Sequence, residues 1–283
     1  MTNLTSSELR NYIPGVLIAI TILLMSPDVG AQQTTSVHYH QYLQDVFKSE
    51  LVYPQEKNEF QFTLLPQFQK SDDFNSILMP FNAEFGITDS WQLAVGLNSF
   101  RKSFPHSGPS VNGTGELQIG SKYSFMNIGN TNFHAAFGFE LSIPFKNDNN
   151  DAGSGFISYE PYVSLAIDFP GLHQLNLFVM TSLEFFDRRN KSNEEPESTE
   201  LNLNGGFLVP YKFIVFTSEF SCNTSKLTGG NEIQLYDTPG FILNLPGTWE
   251  AGLGFPLGLN QQSDKYGIIA MLTFEFNISD KND

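Results

Sequence analysis

From Glu59 onward the chain alternates apolar and polar residues with a period of two, the pattern of a strand with one face in an apolar medium and the other in a polar one. Phe60, Phe62, Leu64, Pro66 and Phe68 share one face, against Gln61, Thr63, Gln67 and Gln69 on the other, with Leu65 the exception. Trp91, Leu93, Val95 and Leu97 oppose Gln92, Ala94, Gly96 and Asn98. Phe133, Ala135, Phe137, Phe139, Leu141 and Ile143 oppose His134, Gly138, Glu140 and Ser142. The alternation recurs in segments of about ten residues and predicts twelve strands, the tenth (Glu232 to Leu243) being the least regular.

The connections alternate in length as well. Thr88 to Ser90, Met126 to Asn132, Pro170 to His173, Pro210 to Lys212 and Pro246 to Thr248 are short. Ser99 to Thr114, Pro144 to Phe156, Asp187 to Glu197, Asn223 to Asn231 and Gly258 to Lys265 are long and polar. A soluble sandwich also alternates inward and outward residues, but it has no reason to gather its long loops at one end. An outer-membrane barrel has short periplasmic turns, long outer loops and an even strand number. Ten to eleven residues at about 3.3 Å each, tilted by about 40°, rise roughly 26 Å, close to the apolar band of such barrels. The predicted fold is therefore all-β, a transmembrane antiparallel up-and-down barrel over Glu59 to Phe276 in the bacterial outer membrane. Trp91, Trp249, Phe125, Phe133, Phe169 and Phe276 cluster at the short-turn ends, where a membrane-interface girdle belongs.

What precedes the barrel reads as an address and a short connector. Ile13 to Met25 is apolar apart from Pro14, Gly15 and Thr21, too short to span a bilayer, and Val29-Gly30-Ala31 places small residues before a cut. Residues 1–31 are thus predicted to be a cleavable signal peptide and 32–58 an N-terminal periplasmic segment. Within it Leu43, Val46, Phe47 and Leu51 fall on one helical face, predicting a short helix over Tyr42 to Val52. That helix would cap the barrel from the periplasm or insert into its mouth, and its short apolar face favours a surface position. A tail, 277–283, follows the last aromatic.

Composition narrows the function. The 283 residues carry 30 acidic against 15 basic side chains, a formal charge of −15, which excludes nucleic acid as a partner. One Cys excludes a disulfide framework and a thiolate metal cluster. Aromatics reach 14%, with 27 Phe, while charged residues are 16%, as expected where one face of every strand meets lipid.

Three stretches resemble a known family: Phe85-Gly86-Ile87-Thr88-Asp89-Ser90-Trp91-Gln92-Leu93, Gly115-Glu116-Leu117-Gln118-Ile119-Gly120-Ser121-Lys122-Tyr123 and Trp249-Glu250-Ala251-Gly252-Leu253-Gly254. The family is that of outer-membrane transporters linked to meta-pathway phenol degradation. The resemblance implies a Gram-negative barrel that passes small, often aromatic, compounds, and it supplies no binding residues. The chain departs from it in the long region before Glu59 and in the residues after Phe276.

The phase of the alternation turns Glu116, Glu140, Glu160, Glu184, Glu200 and Glu219 inward on neighbouring strands, an acidic arc that would favour cations. The competing reading is a set of solvated rim charges paired with Arg101, Lys102, Arg188 and Arg189. Leu65, Leu78, Phe178, Met180, Leu208, Ile269 and Met271 also face inward, either as an apolar track for aromatic solutes or as the packing of a narrow lumen. Pro66, Pro80, Pro161, Pro239 and Pro256 lie within strands, where they bend the wall, open a lateral path, or mark strand ends and bulges. His38 and His40 lack convergent ligand partners, and His134 faces inward with no assignable Ser or carboxylate partner, so neither metal, cofactor nor catalytic triad is expected. The predicted function is passive passage of small, aromatic or hydrophobic, compounds. The expected partners are outer-membrane lipids and a small-molecule solute. A structural or adhesive barrel with an occluded lumen is the alternative, ahead of an outer-membrane hydrolase.

Overall fold

A computed structural model describes residues 43–278 apart from 44, 108, 114, 146–156, 187–198 and 226–231. The predicted signal peptide, His38, His40, the loop residues 147–151, Arg188, Arg189 and the tail beyond 278 lie outside the described residues.

The strands are β1 (Glu59–Leu64, resuming as Gln67–Lys70), β2 (Phe74–Thr88), β3 (Trp91–Pro105) and β4 (Val111–Gly113, resuming as Glu116–Phe125). β5 (Phe133–Pro144), β6 (Ser158–Phe169), β7 (Leu175–Phe186) and β8 (Glu200–Tyr211) follow. β9 (Ile214–Ser225), β10 (Glu232–Asn244), β11 (Trp249–Gly254, resuming as Leu257–Gly258) and β12 (Tyr266–Asn277) complete the set. Each pairs antiparallel with its sequence neighbours. β12 closes on β1 from Glu59↔Asn277 to Leu64↔Leu272 and again from Gln67↔Ile269 to Lys70↔Tyr266. Closure leaves no strand edge, as backbone groups surrounded by lipid require. The irregular tenth segment is a full strand, paired with β9 from Glu232 to Leu243.

Side-chain alternation sorts the wall into two surfaces. Gln92, His134, Ser164, Asn176, Thr217, Thr273 and their row-mates are buried inside, while Leu93, Val95, Phe137, Val163, Phe216 and Leu253 are exposed on the outside. Among the six expected girdle aromatics Trp91, Phe125, Phe133, Trp249 and Phe276 are exposed and Phe169 is half-buried. All six stand at or next to the strand ends beside the short turns. Trp91 Nε1–H donates to Ser121 Oγ at 2.9 Å, which satisfies its polar atom on the outer surface. Phe60 packs against Phe85 and Phe276, with ring centroids at 4.5 and 5.4 Å, across the closing seam.

Two prolines mark irregularities of the wall. β1 pauses at Leu65 and Pro66, where Leu65 N–H donates to Pro80 O and Pro66 O accepts from Ala270 N–H. β2 shifts register between Met79 and Pro80. A ring that cannot donate is accommodated where the ladder already slips. β3 runs on to Pro105, so Arg101 and Lys102, expected in a loop, stand on a strand extension instead.

The main correction concerns the N-terminal segment. The helix predicted over Tyr42 to Val52 is not formed, and no α-helix occurs among the described residues; Tyr42 and Gln44 themselves are outside them. Residues 45–50 make a tight turn closed by an Asp45↔Glu50 bridge and a Val46 N–H bond to Ser49 O at 3.2 Å. The described part of the segment, read as periplasmic, packs into a cluster with inward residues of the wall. Its apolar spacing suits a helix only if one face is to be covered, and here Leu43, Val46, Phe47, Leu51 and Val52 are all buried. The wall supplies the polar partners an isolated turn lacks.

The outer surface makes a depth-dependent prediction. Val163 lies halfway along β6 and is 45% exposed. Val163→Arg should destabilise the refolded barrel in lipid vesicles by about 2–4 kcal/mol, and Phe213→Arg in a short turn by no more than about 1 kcal/mol. Urea titration of tryptophan emission measures both.

Candidate functional site

The lumen is lined by polar side chains, and the described residues from Leu43 to Gln55 occupy it. Three groups of contacts hold this insert. Next to the short-turn end, Tyr53 OH donates to Asp168 Oδ1 at 2.7 Å and accepts from Asn176 Nδ2 at 2.8 Å. Asn176 Nδ2 also reaches Asp168 Oδ1 at 2.7 Å. His134 Nδ1 accepts from Asn127 N–H at 3.0 Å, so the ring proton sits on Nε2 and is donated to Asp168 Oδ2 at 2.9 Å. The sequence left His134 without a carboxylate; the pairing of β5 with β6 sets it beside Asp168. Tyr53 satisfies the second oxygen, and the group reads as an anchor for the insert.

A second group surrounds Gln55. Its N–H donates to Gln92 Oε1 at 3.0 Å and its amide to Gln61 Oε1 at 2.6 Å and Glu84 Oε2 at 3.3 Å. Gln92 Nε2 reaches the same Glu84 oxygen at 2.9 Å. Close by, Lys122, only 1% exposed, pairs with Glu50 at 3.5 Å. Asp45, beside Glu84, Lys122 and Glu50, is held well above the usual carboxylate range, first by burial and then by the Glu84 charge.

The third group holds the turn. Lys48 N–H points between the two oxygens of Glu219, at 3.2 and 3.4 Å, and Lys48 O accepts from Asn204 Nδ2 at 3.2 Å. Lys48 Nζ stands 4.2 Å above the Tyr236 ring. Glu50 accepts from Tyr162 OH at 2.6 Å, and its carbonyl from Ser164 Oγ at 2.8 Å. Phe47 lies on a floor of glycines: a Cβ on Gly240, Gly254 or Gly252 would come within 2.3, 2.7 or 3.2 Å of its ring. Only residues without a side chain leave room for it.

The structure divides the six predicted acids. Glu140 stands directly across from Glu160, and Glu184 from Glu200. Glu160 accepts from Ser182 Oγ and Glu116 from Asn98 Nδ2 at 3.1 Å. Glu219 is apart from these, 0% exposed and committed to the insert backbone. A cavity of about 240 Å³ separates the turn from Glu140, Glu160 and Met180. The predicted apolar positions Phe178, Leu208, Ile269 and Met271 are buried with the insert side chains in one cluster, and Leu65 packs against it. Met180 lines the cavity. Sequence reasoning favoured a surface position for the N-terminal segment over insertion into the mouth, and the structure buries most of its described residues among inward residues of the wall. Its detectable signal was the unusual number of apolar residues in a short segment before a barrel whose inner face is polar.

A closed twelve-stranded antiparallel barrel with an apolar outer belt, an aromatic girdle and a polar lumen defines the class: an outer-membrane β-barrel. Among solved structures, the NanC porin is similar at TM-score 0.50 and 8% identity, covering 77% of this chain and 100% of that one. The KdgM porin follows at TM-score 0.48 and 10% identity, with 76% and 99% covered. The β domain of the Bordetella autotransporter BrkA aligns at 0.48 and 11% identity, with 78% and 100% covered. No family model and no curated protein matches the chain.

Two outcomes are expected of the insert contacts. Asp168→Ala deprives three buried donors and should cost about 3 kcal/mol, whereas Tyr53→Phe removes one hydroxyl and should cost about 1 kcal/mol, both read by urea unfolding. Asp45 has a raised folded value, so the stability of its protonated form is present at low pH and is lost as pH rises through that value. Limited proteolysis of residues 43–58 should accelerate from pH 5 to pH 8, and Asp45→Asn should flatten that rise.

Proposed function

We propose that the protein is an outer-membrane channel for passive passage of small solutes, with residues 43–58 as a plug held in its lumen. The observation that carries this reading is the way the plug is bound. Hydrogen bonds and an ion pair tie it to the polar wall, contacts that water can replace, beside one buried apolar cluster that it shares with the wall. Its apolar contacts are concentrated on Phe47 and the neighbouring cluster. The facing pairs Glu140–Glu160 and Glu184–Glu200 give the passage a cation preference. The apolar positions around Phe178 and Met271 suit solutes with an aromatic or hydrophobic body, in keeping with the resemblance to transporters linked to phenol degradation.

A second reading, a structural barrel with an occluded lumen, is favoured by the same plug, because the described lumen is filled across its middle. Single-channel recording in a planar bilayer separates the two. The full chain should give rare openings, and Phe47→Ala with Glu50→Ala should raise the open fraction about tenfold, with a reversal potential that favours cations. Glu140→Gln with Glu160→Gln should lower that preference. Silence in both chains would establish the occluded barrel, and anion preference would remove the role of the acids.

A further inference from the structure

The tip of the insert turns two side chains onto β10 and β11. Lys48 Nζ stands 4.2 Å above the Tyr236 ring, and Phe47 lies on the glycine floor of Gly240, Gly252 and Gly254. The bonds of Lys48 to Glu219 and Asn204 are made by its backbone alone. A backbone anchor does not call for a lysine, and taking an ammonium out of water is costly unless the wall receives it.

The wall does receive it. Tyr236 is 5% exposed, and its hydroxyl is held from two sides: it accepts from Asp264 N–H at 3.0 Å and donates to Gln234 Oε1 at 3.4 Å. The ring is thereby fixed with its face to Lys48. Glu219 on β9 supplies one carboxylate charge, and Asp264, in the connection between β11 and β12, supplies a second. Burial pushes the Lys48 ammonium below its ordinary value, and these two charges act against that loss. An aromatic face flanked by carboxylates is the chemistry that recognises an alkylammonium.

Beside this seat three hydroxyls have no hydrogen-bond partner among the described residues. Ser221 stands directly across from Tyr236, Thr238 across from Glu219 and Thr217 across from Gly240, and all three are buried. The alternation of β9 and β10 turns them inward together with Glu219 and Tyr236. Holding the tip does not require them, and an unmet buried hydroxyl costs free energy. They serve an occupant with polar atoms that a phenyl ring and a lysine stem lack.

We propose that Tyr236, Glu219 and the glycine floor form a binding site for a small aromatic amine, and that Phe47 and Lys48 occupy it as a tethered stand-in, a ring and an ammonium on adjacent residues. This rests on the channel reading, for which it names the solute and the event that opens the lumen: the amine takes the seat and the tip withdraws. The cavity of about 240 Å³ that Lys48, Glu140 and Glu160 help to line adjoins the seat, and its acids concentrate a cation there.

Isothermal titration calorimetry on the refolded full chain in detergent tests the site with tyramine and with 4-hydroxyphenylethanol, in which a hydroxyl replaces the ammonium. Tyramine should bind, and the alcohol about tenfold more weakly. Lys48→Met withdraws the tethered ammonium and should tighten tyramine binding about tenfold, a gain that Lys48→Arg should not show. Tyr236→Leu should weaken it about tenfold. Saturating tyramine should also accelerate proteolysis of residues 43–58 in the wild type. A merely structural Lys48 would leave amine and alcohol alike in every chain. Equal affinity for the two, no gain in Lys48→Met, or no loss in Tyr236→Leu overturns the site. Potassium conductance in a planar bilayer tests the channel separately. An open fraction that rises with tyramine supports both readings. Conductance without tyramine binding in any chain overturns the site and leaves the channel standing, whereas tyramine binding with silence in every chain overturns the channel and with it passage of the amine.

Discussion

Closure of the sheet is the constraint on which the rest of the molecule depends. Within lipid an unpaired backbone N–H or C=O has no solvent to turn to, so the wall survives only if its last strand finds its first. Here β12 pairs with both pieces of β1, from Glu59↔Asn277 to Lys70↔Tyr266. The pause at Leu65 and Pro66 is absorbed because Pro80 O and Ala270 N–H still find partners. Once the cylinder is closed, every strand has one face in lipid and one in a narrow interior, and the alternation of Phe, Leu and Val with Gln, Ser, Thr and Glu follows.

The interior sets the second problem. A row of inward carboxylates, amides and one lysine cannot stay dry and unpaired. The segment before β1 resolves part of this by entering the lumen and bringing its own donors and acceptors: Tyr53 to Asp168, Gln55 to Glu84 and Gln92, Lys48 N–H to Glu219, Glu50 to Lys122 and Tyr162. Its apolar residues meet the few inward apolar positions, Phe178, Leu208, Ile269 and Met271. The barrel and its insert thus complement each other in polarity as well as shape. Polar contacts at Tyr53, Gln55 and Lys48 and apolar ones at Phe47 and Leu51 hold the insert together.

The wall departs from its pattern on the outer face of β9 and β10, where Ser218 Oγ donates to the Asp237 carboxylate. Elsewhere the local rules agree with one another. Conflicts between local rule and position are expected where function resides.

Much of this was legible in the chain itself. Twelve strands, the inward and outward faces, the girdle at Trp91, Phe133 and Trp249 and the gathering of short turns at one end all follow from a period of two and from turn residues, which are local properties. The tertiary structure decided what those properties cannot encode. Leu43, Val46, Phe47 and Leu51 carry a helical spacing, yet the wall on all sides offered them a better burial as a turn. His134 gained Asp168, and Pro239 came to oppose the stretch with Pro256, only through registers between strands. Glu219 left the row of acids because Lys48 of the insert reached it. Alternation tells each residue which side of the wall it faces, because that depends on its immediate neighbours. What it meets there depends on residues far away in the chain, and only the closed barrel brings them together.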